Sequence, residues 1–168
     1  MHTENPLILT LKLDDKVQTY FNQLRARYFP SERNFLDAHL TLFHHLPAEE
    51  PGVYSMIEEL AARQQSLLID VIKIVSTGNG VAFKCESAEL QKVHNHLQQQ
   101  WRQWLIPQDR QKLWPHITIQ NKVSADTAAN TLQELSSGFT PFVMPGSGLS
   151  LWRYLGGPWE HVDDYSFQ

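Results

Sequence analysis

Two four-residue stretches of the sequence carry residue types that could do acid–base chemistry. Each consists of a histidine, an aliphatic residue, a threonine and a second aliphatic residue, so that His39 is followed by Thr41 and His116 by Thr118. Because side chains alternate faces along a strand, each histidine shares a face with its threonine, while the two aliphatic residues share the other face. Each stretch therefore predicts a strand that buries one face and presents an imidazole and a hydroxyl on the opposite one.

The repetition of this pattern favours a functional role. The chain contains 8 histidines and 9 threonines in 168 residues, and 42% of its residues are hydrophobic, which gives roughly 0.08 expected occurrences of the pattern. A single strand histidine is more often a hydrogen-bonded structural residue. Two matching copies are much harder to explain in that way, and they indicate a shared cleft if the two strands lie side by side.

The chemistry that two histidines permit is general acid–base catalysis at a phosphodiester. The unperturbed histidine pKa of ~6.5 allows neutral and protonated forms to coexist near neutral pH. A neutral imidazole could take a proton from the attacking hydroxyl or water, and an imidazolium could give one to the leaving oxygen. Two threonine hydroxyls could donate to the non-bridging phosphate oxygens as negative charge develops there. This chemistry uses no metal ion and no covalent intermediate, so we expect no cofactor.

The remaining sequence predicts the elements that must position these stretches. An aliphatic strand at residues 7–13 comes first. The order helix, histidine–threonine strand, helix, strand, turn and strand then occurs twice, in residues 14–85 and 86–155. We interpret residues 1–168 as one two-lobed, duplicated α+β domain, in which antiparallel sheets face a shared groove and helices pack outside.

Several details of this prediction concern individual positions. Residues 139–144 and 149–155 are interpreted as two strands, joined at the turn-forming Pro-Gly-Ser-Gly sequence of residues 145–148. In the long helix before the second histidine stretch, the interpretation places His94 and His96 on a solvated face. The same interpretation assigns three tryptophans to the core, namely Trp101, Trp104 and Trp114.

The two stretches resemble the histidine–hydrophobic–threonine–hydrophobic (HxTx) signature of the two-histidine (2H) phosphoesterases. This superfamily includes bacterial 2′-5′ RNA ligases (LigT-like proteins) and cyclic nucleotide phosphodiesterases. Residues 38–47 and the tail at residues 155–159 are most similar to proteins of the bacterial 2′-5′ RNA ligase family. The spacing of the two stretches and the repeated order of elements extend the resemblance over nearly the whole chain.

This resemblance implies roles for four residues. His39 and His116 would be the acid and the base, in an order that stays open, and Thr41 and Thr118 would bind the substrate phosphate. Substrates would carry a 2′,3′-cyclic phosphate, a 2′-5′ linkage or a related cyclic ester. The implied activity is that of a metal-independent cyclic phosphodiesterase, and RNA ligase activity stays open.

Two further residues are candidates for substrate contacts. Phe43 shares the face of His39 by strand parity and could stack on a base, with core packing as the alternative. Arg153 could supply a phosphate or stacking contact from a late strand, with a surface salt bridge as the alternative. Parity allows only one of Arg153 and Tyr154 to face the groove.

His44 and His45 follow the first stretch closely and raise the question of a metal site. Parity places His45 on the face of His39, but six residues at about 3.3 Å each separate the two by roughly 20 Å. No His-Glu-x-x-His or Cys-x-x-Cys spacing occurs in the sequence. We therefore predict no metal site. The alternatives kept are a nucleotide- or RNA-end-binding module without turnover and, with less support, a metal-dependent hydrolase.

Composition limits the partners of the chain. A net charge of −4 argues against broad duplex nucleic-acid binding, which needs many Lys and Arg on phosphates, and favours a small nucleotide or an RNA terminus. The single cysteine, Cys85, suits a reducing compartment. The sequence has neither a signal-peptide pattern nor an apolar run of about 18 residues. We therefore expect a cytoplasmic monomer that does not associate with membranes.

Overall fold

The computed structural model describes residues 5–168, which form four α-helices and seven strands. The helices are α1 (Asp15–Tyr28), α2 (Pro51–Arg63), α3 (Ala88–Trp101) and α4 (Ala125–Ser137). The strands are β1 (Leu7–Leu13), β2 (Leu40–Leu46), β3 (Leu67–Ser76), β4 (Val81–Glu86), β5 (His116–Gln120), β6 (Phe142–Tyr154) and β7 (Trp159–Ser166). The α+β class predicted from the sequence is confirmed.

The helices begin where the sequence supplies N-terminal caps. The side chains of Asp14, Ser87 and Ser124 each accept a hydrogen bond from the backbone N–H three residues later. Helix α2 begins instead with Pro51, which lacks the N–H that would go unpaired in a first turn. A side-chain cap of this kind stabilises a helix by about 1 kcal/mol. Within the described part of the chain, no helix has the length and apolar character needed to cross a membrane.

All seven strands form one antiparallel sheet. Its order is β2-β1-β6-β3-β4-β5, and β7 pairs with the outer part of β6. Strand β6 connects the two arms of the sheet, because residues 142–146 pair with β3 and residues 146–153 pair with β1. Strands β2 and β5 stand at opposite ends of this order and yet contact each other, so the sheet curls into a half-barrel. The antiparallel sheets predicted on either side of a groove are thus the two arms of one continuous sheet.

The sequence prediction of a turn at residues 145–148 is wrong, since β6 continues through these residues, with a bulge where Lys12 pairs with Gly148 and Leu13 with Gly146. Close packing explains the glycine at position 148, where a Cβ would lie 2.5 Å from the carbonyl oxygen of Tyr165 on β7. The chain reverses later, at residues 155–158. There Gly156 has φ +92°, a conformation that glycine adopts without steric cost.

Helices cover the outer surface of the curled sheet. Helices α1 and α4 pack against the arm formed by β3, β4 and β5, while α2 packs against β6, β7 and α3. The aliphatic residues of both histidine stretches are at most 1% exposed and belong to the core: Leu40, Leu42, Ile117 and Ile119. Burial of each such side chain contributes roughly 1.5–3 kcal/mol, which fixes the face on which the histidines are presented.

Candidate active site

The two histidine stretches lie on the strands that meet where the sheet curls round. His39 immediately precedes β2, and His116 is the first residue of β5. Both histidines and both threonines, Thr41 and Thr118, are partly exposed, whereas the aliphatic residues between them are buried. Each stretch thus presents one imidazole and one hydroxyl on its partly exposed face.

The two imidazoles are anchored in the same way. The Nδ1 atom of His39 lies 2.8 Å from the carbonyl oxygen of Asp37, and the Nδ1 atom of His116 lies 2.8 Å from that of Trp114. Because a carbonyl oxygen can only accept, each Nδ1 carries the proton of the neutral ring and donates it. Each Nε2 is then the nitrogen left to exchange a proton with a ligand.

A tryptophan packs against each imidazole. The ring centroid of His39 is 4.5 Å from that of Trp159, and the ring centroid of His116 is 4.3 Å from that of Trp114. Trp114 is 44% exposed and lies beside His116, so the sequence prediction that it is a core residue is wrong. Trp159 begins β7, a strand that sequence reasoning missed because the acidic and aromatic tail has no clear alternation.

Each imidazole keeps a partly exposed face but is otherwise surrounded by protein atoms, and this loss of hydration favours the neutral ring. Burial is the largest cause that lowers the pKa of His39 to about 4, and the charges of Arg25 and His116 lower it further, against the opposing hydrogen bond to Asp37. Burial also lowers the pKa of His116 below 6.5. The effect of His116 on His39 places the two rings within electrostatic reach of each other. Both rings are therefore neutral at pH 7, each with a free lone pair on Nε2.

A buried arginine, Arg25, forms hydrogen bonds with both the loop before β2 and strand β5. Arg25 of α1 is 3% exposed, and its Nε donates to the carbonyl oxygen of Leu36 at 3.1 Å, in the loop that leads to His39. Its Nη1 donates to the carbonyl oxygen of Thr118 at 3.0 Å. Although burial lowers its pKa to about 10, the guanidinium is charged at pH 7. Arg25 thus fixes the spacing of the two histidine stretches, a role that sequence reasoning did not identify.

A cavity of about 380 Å³ adjoins His39 on the inner face of β1, β6 and β7. Two hydrogen bonds order its polar lining, because Asp164 accepts from the Ser150 hydroxyl at 2.7 Å and from Lys12 Nζ at 3.3 Å. The aromatic lining comes from Phe35, Trp152 and Trp159. Aromatic surface combined with a few placed polar groups is the chemistry that accommodates a base and a sugar.

Phe43 does not reach the groove, because β2 changes its register beside Thr41. Thr41 pairs with Thr10, but Phe43 pairs with Leu9, so β2 has one extra residue here and forms a β-bulge. Phe43 therefore faces the core side with Leu9. It is fully buried, with its ring centroid 5.0 Å from that of Trp101. Phe43 is therefore a core residue, as the alternative interpretation had it, and not a residue that could contact a base.

Arg153 also lies outside the cavity. Its neighbour Trp152 lines the cavity, so alternation along β6 turns Arg153 to the other face. Its Nη1 lies 3.8 Å from a carboxylate oxygen of Glu160, which matches the alternative of a salt bridge. The aromatic residue one position earlier is the groove-facing residue of this strand.

His94 is buried and not solvated as the sequence prediction had it. It is 2% exposed, its Nε2 lies 3.1 Å from the carbonyl oxygen of Leu42, and its ring stacks on Phe43 at 4.6 Å. Helical spacing could have identified it, since it falls four residues after Leu90 and three before Leu97, both of which are buried. Among residues 5–168 no cluster of three potential ligands has the geometry to hold a metal ion.

Comparison with known proteins adds the family. The model of the 2′-5′ RNA ligase superfamily matches residues 13–158. The solved structure of TT0787 from Thermus thermophilus is similar with a TM-score of 0.70 and 16% identity, over 96% of this chain and 97% of that one. E. coli LigT complexed with 3′-AMP is similar with a TM-score of 0.61 and 17% identity, over 98% of this chain and 99% of that one. No curated protein sequence matches the chain.

Proposed function

The chain belongs to the 2′-5′ RNA ligase superfamily, the family of two-histidine phosphoesterases, and we propose that it is a metal-independent cyclic phosphodiesterase. Its substrates are nucleotides or RNA ends that carry a 2′,3′-cyclic phosphate or a 2′-5′ linkage. The observation that carries this proposal is the matched anchoring of His39 and His116, each of which donates from Nδ1 to a carbonyl oxygen and keeps Nε2 for proton transfer.

Opening of a cyclic phosphate needs one proton removed and one proton supplied. One Nε2 accepts a proton from water as the water oxygen attacks phosphorus, and the other Nε2–H protonates the ribose oxygen as its bond to phosphorus breaks. Burial lowers the pKa of His39 to about 4, so this ring is neutral at pH 7 and keeps a free lone pair on Nε2, and on this ground we assign it as the base. His116 is then the acid, and the negative charge of a bound phosphate favours its protonated form.

The threonines and the buried arginine support this chemistry in different ways. The hydroxyls of Thr41 and Thr118 donate to the non-bridging oxygens, where negative charge increases in the transition state. Arg25 is a positioning residue, since its hydrogen bond to the Thr118 carbonyl holds β5 in place relative to the loop before His39. Proton transfer requires donor and acceptor within hydrogen-bond distance, so this spacing has a direct effect on the rate.

A small nucleotide or an RNA terminus fits the site better than a long duplex. The cavity beside His39 offers Trp152 and Trp159 to a base, and the net charge of −4 opposes broad contact with a phosphate backbone. Structures of E. coli LigT complexed with 3′-AMP and with ATP support the same class of ligand for this chain.

The test is turnover of nucleoside 2′,3′-cyclic phosphates in the presence of EDTA, with the products separated by chromatography. We expect hydrolysis that chelation leaves intact. Loss of activity on chelation, restored by zinc or manganese, would instead support the metal-dependent hydrolase. Binding of these nucleotides without any turnover would support the binding module.

A further inference from the structure

A buried carboxylate holds the part of β2 that lies beyond Thr41. Asp109, in the 3₁₀ turn Pro107–Arg110, is 2% exposed, and its carboxylate accepts the backbone N–H groups of His44 and His45, each at 2.9 Å. Strand β2 is at the end of the sheet order, so these N–H groups lie on its free edge. Asp109 therefore supplies the acceptor that a neighbouring strand would otherwise provide.

The same carboxylate also orients the side chain of His44. The Nδ1 atom of His44 donates to Asp109 Oδ1 at 3.0 Å. The side chain of His44 is 43% exposed, whereas that of Asp109 is 1% exposed, so Nε2 is the ring nitrogen that a ligand can reach. His44 thus repeats the arrangement of His39 and His116, with Nδ1 anchored and Nε2 available, but its anchor is a carboxylate and not a carbonyl.

The position of His44 relates it to the proposed catalytic pair. A positive charge on His44 would lower the pKa of both His39 and His116. Thr41 pairs with Thr10, whereas Phe43 pairs with Leu9 and Leu46 with Leu7, so His44 lies about two β1 residues beyond Thr41, roughly 7 Å along the strand. His44 therefore lies beyond Thr41 on the same strand, with its side chain exposed at the end of the sheet.

We propose that His44, held by Asp109, binds a second phosphate of the substrate, beyond the phosphate that lies between His39 and His116. This inference rests on the proposed function. With Nδ1–H retained by Asp109, donation from Nε2–H to a phosphate oxygen makes the ring an imidazolium between two anions. Such charge-assisted hydrogen bonds are stronger than neutral ones, and the buried carboxylate balances the charge of the ring. The preferred ligand is thus a nucleotide or RNA end with a phosphate on each side of the terminal nucleoside.

His45 provides a matched control for this proposal. Its backbone N–H bonds to Asp109 at the same 2.9 Å as that of His44, and its side chain is also exposed. Within residues 5–168, however, the imidazole of His45 forms no hydrogen bond with Asp109. Replacement of His45 therefore removes an exposed histidine from the same bend of β2 and leaves the oriented ring of His44 in place.

The experiment compares two product-like ligands, adenosine 3′-monophosphate and adenosine 3′,5′-bisphosphate, by isothermal titration calorimetry. We expect wild-type protein to bind the bisphosphate about tenfold more tightly, as one hydrogen bond to a charged group provides. His44→Ala should lose this preference, and His45→Ala should keep it. His44→Gln, which retains an amide donor for Asp109 but carries no charge, should lose it as well. Thermal unfolding of each variant checks that the fold is intact.

Three outcomes would overturn the proposal. These are equal affinity of wild-type protein for the two ligands, an unchanged preference in His44→Ala, and a loss of affinity in that variant that is the same for both ligands. The measurement involves no turnover, so its result is independent of catalysis. Failure of the proposed function would show itself separately, as an absence of hydrolysis of 2′,3′-cyclic AMP by wild-type protein that still prefers the bisphosphate.

Discussion

Replacement of His39 by asparagine should make the protein less sensitive to acid. Burial lowers the pKa of His39 from 6.5 to about 4, so the unfolded chain binds a proton at this residue over a pH range in which the native protein does not. The native state therefore loses stability as pH falls from 6.5 towards 4. Asparagine has no such proton to bind, and its amide can still donate to the carbonyl oxygen of Asp37.

The size of this effect follows from the two pKa values. Between about pH 7.5 and about pH 4.5, the shift from 6.5 to about 4 costs wild-type protein roughly 2–3 kcal/mol of unfolding free energy at this one residue. Other groups titrate over the same range, but those that do not interact with His39 contribute equally to wild type and variant. The loss of stability on acidification should therefore be roughly 2–3 kcal/mol smaller in His39→Asn than in wild type.

The measurement is urea-induced unfolding of both proteins at the two pH values, followed by circular dichroism. Free energies come from linear extrapolation, and unchanged slopes show that the same surface unfolds in each case. If wild type and His39→Asn lose equal stability on acidification, His39 is not buried as a neutral imidazole, and the assignment of this ring as the base loses its basis.

Three further predictions concern the activity and the frame of the site. Changing His39 or His116 to Ala should reduce turnover of 2′,3′-cyclic nucleotides by about 10²–10⁴-fold, and the double variant should lose little more, because the two act in one step; near-normal turnover in either folded variant would refute the mechanism. Thr41→Ala and Thr118→Ala should each lower kcat by about 10–10³-fold in the same assay, because each removes one hydrogen-bond donor to the developing negative charge. A change in KM alone would instead show that the threonine hydroxyls act in ground-state binding. Arg25→Met leaves the carbonyls of Leu36 and Thr118 without their donor, so calorimetry should show a Tm lower by about 10 °C. Arg25→Lys should recover part of this loss in Tm. An unchanged Tm in Arg25→Met would show that these hydrogen bonds contribute nothing to stability.

Local patterns predicted the parts of the molecule that depend on alternation. The aliphatic residues of the two histidine stretches are buried and the histidines partly exposed, because a period of two leaves one face for the core. The same rule failed at Phe43, because the pairing of β2 with β1 determines whether this side chain faces the groove or the core. Register between strands is set by the partner and its turns, so a bulge cannot be read from one strand alone.

The residues that sequence reasoning missed act over long separations. Arg25 contacts the carbonyl of Thr118, 93 residues away, and Asp109 contacts His44, 65 residues away. No periodicity marks such residues, since each is placed by the packing of other elements. The Pro-Gly-Ser-Gly sequence at 145–148 misled for a related reason. Glycine serves both turns and close packing, and only the neighbouring strand decides between them.

The continuity of β6 determines how the protein unfolds. Repeats that contact only their neighbours can unfold one at a time, and their cooperativity weakens with length. Here each arm of the sheet uses part of the same 13-residue strand, with β1 and β7 on one stretch and β3 on the other. If either arm unfolds, part of β6 loses its hydrogen-bonding partners, although β6 is also a strand of the other arm. We therefore expect the described chain to unfold as one cooperative unit, in which the two histidines are held or lost together.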